Sequence, residues 1–201
     1  MGRAPYAVAA RALLRDTLLD AARDQLRERT WPEVTMADVA SAAGVSRQTL
    51  YNEFGSRDEF AQAFVLREGD RFLIAVEGAI GERRGDPHAA LSAAFDVFLT
   101  AAADDPLVRS VIEDGGGDGM LPLVTTQGRP LVERAAERLT AIIVAAWPQV
   151  GRTDAEMLAE CLVRLAISYA ALPKGDTTMT AASVTMLLGP FLERALARRA
   201  A

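Results

Sequence analysis

Cysteine, lysine and histidine each occur once in these 201 residues, as Cys161, Lys174 and His88. One cysteine rules out an intramolecular disulfide framework, and with a single histidine beside it there is no Cys/His cluster of the kind structural zinc requires. A reducing cytoplasm suits such a chain. The scarcity of lysine leaves arginine as nearly the whole basic complement, a coding bias rather than a binding signal. Long apolar runs are missing too. The longest uncharged stretch, 177–192, has 16 residues, includes five Thr or Ser and contains Gly189-Pro190, which falls short of the roughly 20 apolar residues that cross a bilayer. Arg11 and Arg15 interrupt the segment that an export signal would need as its apolar core. The expectation is a soluble, cytoplasmic protein with no membrane contact. Aromatics make up 6% of residues while half are hydrophobic, so the apolar content is mostly Ala, Leu and Val, which favours packed helices over sheets.

Catalytic constellations are equally scarce. No Ser/His/Asp arrangement or carboxylate pair can be placed, and His88 sits near a predicted helix start, where solvation accounts for it. The glycines at 115–119 lack the Gly-Lys-Ser/Thr that completes a phosphate loop. Arg84-Gly85-Asp86 matches an adhesion tripeptide by chance. The chain is read as a non-enzyme without cofactor or metal.

What the sequence does contain is a succession of helical patterns punctuated by Gly and Pro. Residues 11–29 put Leu14, Leu18, Ala21, Ala22, Gln25 and Leu26 on one face, and Trp31-Pro32 ends that helix. Thr35 and Asp38 form a capping box for a second, short helix that buries Met36, Val39, Ala40 and Ala43; Gly44 stops it. Ser46 caps a third short helix with Leu50 and Phe54 inward, and Gly55 closes it. Ser56 and Glu59 open a long fourth helix through Phe60, Phe64, Phe72 and Val76 to about Ile80. Further helices are predicted over 88–103, 106–114, 130–147, 154–172 and 180–198, about nine in all, with a Gly-rich loop at 115–119.

Two short helices joined by a tight Gly turn, the second opening on polar residues, outline a helix-turn-helix, whose second helix enters the DNA major groove with its first residues at the base edges. Arg47 and Gln48 occupy those places, and their side chains can pair with guanine and adenine respectively. Tyr51, one turn on, is placed for a phosphate, as are the free N–H groups at the helix starts near Thr35 and Ser56. Net charge argues neither way: the formal charge is -5, and residues 1–60 carry 8 Arg against 9 acids. Locally Arg3, Arg11 and Arg15 precede the first acid, Asp16, which leaves the N-terminal arm basic.

The run TMADVASAAGVSRQTLYNEFGSRDEF, 35–60, closely resembles the DNA-binding domain of the TetR family of transcriptional regulators. The elements that carry the likeness are VA at 39–40, AGVS at 43–46, TLY at 49–51, Phe54 and GSRDEF at 55–60. The likeness covers about the first 65 residues; beyond them only the all-helical layout is similar. It implies an all-α fold, with a three-helix helix-turn-helix domain over 1–58 and a helical ligand-binding and dimerisation domain over 59–201. It also implies that Arg47, Gln48 and Asn52 face bases or the groove wall while Thr35, Thr49, Tyr51 and Arg57 hold phosphates, with Ser46 completing the DNA-facing set. Arg57 stands where the family commonly has Lys. Glu53 departs from the pattern, and an acid there repels phosphate unless it points away, pairs with an Arg or accepts from a cytosine amine.

One short helix buries too little surface for tight specific binding, so a two-fold homodimer on palindromic double-stranded DNA is expected. The last two helices are the expected interface, through Met157, Leu158, Cys161, Leu162, Leu165 and Tyr169 on one and Val184, Leu187, Leu188, Phe191 and Leu192 on the other. Small residues Ala166, Ala170 and Ser183 allow close approach. The resemblance implies a four-helix bundle across the dimer; a purely internal core is the competing reading. The remaining helices would surround a small apolar effector, an acyl chain for example, through Phe72, Phe95, Phe98, Leu99, Val108, Ile112, Met120, Ile142, Ile143 and Trp147, with loops 115–121 and 127–130 as entrance. Ordinary core packing explains each of these singly. The expected function is a ligand-released repressor. The alternative is a small-molecule-binding protein whose head has lost DNA binding, which Glu53 and the neutral head would favour.

Overall fold

Three side-chain caps and two glycines set where the N-terminal helices begin and end. In a computed structural model that describes residues 3–105, 108, 119–171 and 180–198, α1 spans Arg3–Gln25, a 3-10 turn Trp31–Glu33, α2 Met36–Ala42, α3 Arg47–Phe54 and α4 Arg57–Gly81. The Thr35, Ser46 and Ser56 hydroxyls accept from the N–H groups of Asp38, Thr49 and Glu59 at the starts of α2, α3 and α4. Each thereby satisfies one of the donors a helix start leaves open. Gly44 and Gly55 take positive φ values of 71° and 87° in the turns after α2 and α3, a region that a side chain penalises. The body follows as α5 (Pro87–Asp104), α6 (Leu121–Val124), α7 (Arg129–Ala146), α8 (Arg152–Ala171) and α9 (Ala181–Ala197). No strand occurs among the described residues.

Most of these bounds lie within two residues of the sequence-based ones. Two differ. α1 begins at Arg3, eight residues earlier than periodicity placed it, because residues 6–13 are helical yet exposed throughout and so carry no apolar stripe to read. The single turn α6 lies in a stretch read as loop. The helix expected over 106–114 lies outside the described residues except for Val108.

Apolar side chains gather into a head core, a body core and a smaller cluster around Phe95 and Phe98, and α4 contributes to the head and body cores. The head core joins Leu18 and Ala22 of α1 and Leu26 just after it with Val39 of α2, Leu50 and Phe54 of α3, and Phe60, Phe64 and Val65 of α4. Phe54 meets Phe60 edge-on at 4.7 Å between centroids, and the Arg15 guanidinium covers the Phe54 ring at 4.3 Å. The body core sets Leu73, Val76 and Ile80 of α4 against Leu139 and Ile143 of α7, Leu158 and Ala159 of α8, and Leu192 of α9. α4 therefore buries side chains in both cores.

Leu50 is 0% exposed, so truncating it removes contacts on every side. Leu50→Ala is expected to lower stability by about 2–5 kcal/mol in urea denaturation, whereas Gln48→Ala two residues away should stay within about 0.5 kcal/mol. Comparable losses in both variants would contradict this packing.

Candidate nucleic-acid interface

Burying Leu50 and Phe54, four residues apart on one face of α3, turns the rest of that helix outward. Arg47, Gln48 and Asn52 are exposed, and Thr49 and Tyr51 are half-buried at the flanks. The exposed side chains are already ordered against one another. The Gln48 amide donates to the Asn52 side-chain oxygen at 2.8 Å. The Arg47 guanidinium donates to the Tyr51 hydroxyl at 3.4 Å and lies 5.2 Å from the ring centroid. Such one-turn pairs hold long polar side chains ready for base edges at a reduced entropic cost. The Thr49 hydroxyl is 2.8 Å from that of Ser46, so both cluster at the N-terminus of α3.

Thr35 occupies the matching place on α2. Its N–H and hydroxyl both donate to the Asp38 carboxylate, at 2.9 and 2.8 Å. The backbone bond first, and the hydroxyl second, hold that carboxyl below its ordinary pKa. Arg57 serves the scaffold. Its guanidinium donates to the carbonyls of Val34 at 2.8 Å and Trp31 at 2.6 Å and covers the Trp31 ring at 4.5 Å, which pins the connection leading into α2 to the start of α4.

Glu53 pairs with arginine, one of the three arrangements open to it from sequence. Its carboxylate accepts from Arg11 and Arg15 of α1, both at 2.9 Å, and its side chain is only 9% exposed. Burial pushes the Glu53 carboxyl upward, but the hydrogen bonds and charges of Arg15 and Arg11 outweigh it and leave the group below its ordinary value. Part of the basic N-terminal arm thus neutralises an acid within the head. Arg11 and Arg15 stand four residues apart, a spacing visible in sequence, and Glu53 pairing with an Arg was open from sequence, but no local pattern says which arginines share it.

Behind the head, α4, α5, α7 and α8 enclose a cavity of about 390 Å³, within the usual range for small-molecule sites. Phe72, Phe95, Phe98, Ile143 and Trp147 of the expected lining converge on it, as does Val108. The edge-on contact Phe72–Phe98 at 6.0 Å shapes one wall, and Phe98 meets the Tyr169 ring at 6.1 Å. Trp147 is fixed by its indole N–H, which donates to the Arg84 carbonyl at 2.9 Å. Other expected lining residues sit elsewhere. Met120 is fully buried in the head-side core, Ile142 lies in the body core and Leu99 packs against the Phe95–Phe98 cluster. Ile112 and residues 115–118 of the expected entrance lie outside the described residues, and Gln127–Pro130 runs directly into α7. Periodicity missed the polar rim of Arg23, Glu68, Arg71 and Asp105. Glu68 was detectable as an acid falling on the apolar stripe of α4, between Phe64 and Phe72.

Residues 18–64 match the sequence profile of bacterial regulatory proteins of the tetR family, and residues 86–190 that of a bacterial tetracyclin repressor C-terminal domain. The HTH-type transcriptional regulator AlkX of Mycobacterium tuberculosis is 42% identical over 192 residues, 96% of this chain and 91% of that protein. Among solved structures, the TetR family repressor AlkX from Dietzia sp. strain DQ12-45-1b, implicated in biodegradation of n-alkanes, superposes with a TM-score of 0.81 at 36% identity, covering 90% of this chain and 96% of that one. A tetR-family transcriptional regulator from Streptomyces coelicolor, 23% identical with a TM-score of 0.56 over 90% of this chain and 80% of its own, shares the fold.

The Glu53 pairing has a pH signature. Because its folded pKa lies below the ordinary one, Glu53 adds stability at neutral pH that is lost as pH falls through the ordinary value and then the lowered one. The difference in urea midpoint between the wild type and Glu53→Gln should therefore be largest near neutrality and shrink on acidification. A difference constant with pH would contradict the pairing.

Proposed function

The chain belongs to the TetR family of transcriptional regulators, and from that premise we propose a ligand-responsive repressor that binds a palindromic operator as a homodimer and is released by an apolar, long-chain effector. The observation that carries the DNA-binding half is the outward face of α3, where Arg47 and Gln48 stand exposed at the N-terminal end with Asn52 one turn behind. Arg47 would read guanine and Gln48 adenine, while Thr35, Ser46, Thr49 and Tyr51 meet phosphates from the flanks. Arg57 supports them from behind, by fixing the turn that presents Thr35. A head without DNA binding loses its main support, since the Glu53 charge is neutralised by Arg11 and Arg15 rather than turned toward phosphate.

TetR regulators act as dimers, and here the last two helices supply a surface suited to that. Met186 and Leu187 on α9 are 75% and 64% exposed, and Met157 and Cys161 on α8 are exposed as well. Leu158, Val184 and Leu192, by contrast, are spent on the protomer's own cores, so α8 and α9 serve the inside with one face and the partner with the other. The effector class is supported by the aromatic and aliphatic walls of the cavity and by the relative implicated in n-alkane biodegradation. No helix among the described residues is long and apolar enough to cross a membrane.

The mechanism is a population shift. DNA selects dimers whose heads match the groove spacing, and an effector that favours another spacing weakens DNA binding by the difference; about 1–3 kcal/mol of coupling gives a 5–150-fold change. α4 is the lever, since it runs from Ser56 at the head to the cavity wall.

Titration with the intergenic DNA upstream of the gene, at two salt concentrations, tests this reading. The wild type should bind it over unrelated DNA with a steep fall in affinity as salt rises. Arg47→Ala should cut that preference by about 1–3 kcal/mol while leaving the thermal midpoint unchanged. An unaltered preference, or a loss of thermal stability, would assign Arg47 to the fold instead.

A further inference from the structure

The rim of the cavity is charged on a wall that is otherwise apolar. Glu68 of α4, with a side chain only 4% exposed, accepts from Arg23 of α1 and from Arg67 at 3.1 Å, and Arg71 stands 3.6 Å away. Arg23 reaches in the other direction to Asp105, the cap residue that ends α5, at 3.1 Å. Arg67 and Arg71 also bind Asp20 of α1. Arg23 thus ties the head helix α1 to α4 and α5 at once.

Arg23 and Asp105 also mark a passage. A second, open groove between α4 and α5 contains Gly78, Ala79 and Ala93, and it shares Arg23, Ala75, Val97, Ala101 and Asp105 with the cavity. The Arg23–Asp105 ion pair stands where the two spaces meet. Small residues beside it leave width for a chain, and Phe72, Phe98 and Trp147 lie beyond.

We propose that Arg23 is the headgroup contact for an anionic long-chain amphiphile: the chain fills the cavity, and its carboxylate takes the place of Asp105 on the Arg23 guanidinium, which breaks the Arg23 tie between α1 and the end of α5. This rests on the cavity being the effector site. Glu68 is the wrong group to displace, because its side chain is only 4% exposed and three guanidiniums share it, so exchanging it would break three ion pairs at once. Asp105 is the exchangeable one, since its side chain is 23% exposed and sits at the mouth. A guanidinium fork accommodates one carboxylate as readily as another, whereas a cationic ligand would have to settle among Arg23, Arg67 and Arg71. The exchange couples ligand to DNA directly: the residue that changes partner lies on α1, the helix that also carries Arg11 and Arg15 to Glu53 beside the recognition face.

Calorimetric titration of the full-length protein with decanoate and with 1-decanol separates the possibilities. Decanoate should bind the wild type more tightly than decanol, and the ratio should widen to about tenfold in Asp105→Asn, where the carboxylate gains a charge-assisted hydrogen bond without displacing another. Arg23→Gln should bring that ratio to about one. Asp105→Asn, which leaves Glu68 and its arginines paired, should strengthen decanoate binding by removing the competitor, and it decides the matter if Arg23→Gln fails to fold. Equal binding of both probes to the wild type, a ratio preserved in Arg23→Gln, or decanoate affinity that is unchanged or weaker in Asp105→Asn would overturn the headgroup assignment while leaving an apolar effector site standing. Binding of neither probe would remove the effector site and the headgroup contact together.

Discussion

The burial of Leu50 and Phe54 is the contact on which the proposed DNA-reading face depends. α3 is only eight residues long, too short to hold its conformation in water without tertiary packing. Its place and its rotation about its own axis come from those two side chains locked beneath Phe60 and Arg15, and from the Ser46 cap at its start. Once that face is fixed inward, the orientation of Arg47, Gln48 and Asn52 follows from the 3.6-residue period alone. The recognition surface is what the packing leaves over.

Charge completes what apolar packing begins. The head carries as many acids as bases within one, and its arginines are largely assigned: Arg11 and Arg15 to Glu53, Arg57 to the Val34 and Trp31 carbonyls, Arg23 to Glu68 and Asp105. Arg47 differs from these cations, because its partner is Tyr51 on its own exposed helix rather than a carboxylate or carbonyl of another segment. Placement, not net charge, is what sets the proposed DNA-facing arginine apart from the structural ones. The same pairing joins head to body, since α1 and α4 are tied by Asp20, Arg67, Arg71, Glu68 and Arg23 in addition to their shared core. α4 therefore acts as one rigid strut with apolar ends in two cores and a charged band between them.

Local chemistry made the head legible in the sequence. Caps at Thr35, Ser46 and Ser56, glycines at 44 and 55, and the inward pair Leu50 and Phe54 each act within a few residues of themselves, so a linear pattern contains them. The partner of Glu53 lies 38 and 42 residues away on α1, and the Arg23–Asp105 contact spans 82 residues; no local pattern encodes either. The start of α1 escaped for the opposite reason: with residues 6–13 exposed, nothing imposed an apolar period. For the cavity, aromatic residues on α4 and α5 pointed to the right walls, but an apolar residue that lines a void and one that fills a core have the same sequence signal, which is why Met120 and Ile142 were grouped with Phe98.

These constraints converge on one claim: two copies of the outward face of α3, related by a two-fold axis, read adjacent major grooves on one side of the duplex. Guanine N7 methylation protection across the bound operator tests it most directly. The account predicts two protected patches, related by a dyad and centred about 10–10.5 base pairs apart or a multiple of that spacing, both disappearing when Arg47 is replaced by Ala. A single patch, two patches without dyad symmetry, or protection that survives the loss of Arg47 would contradict it.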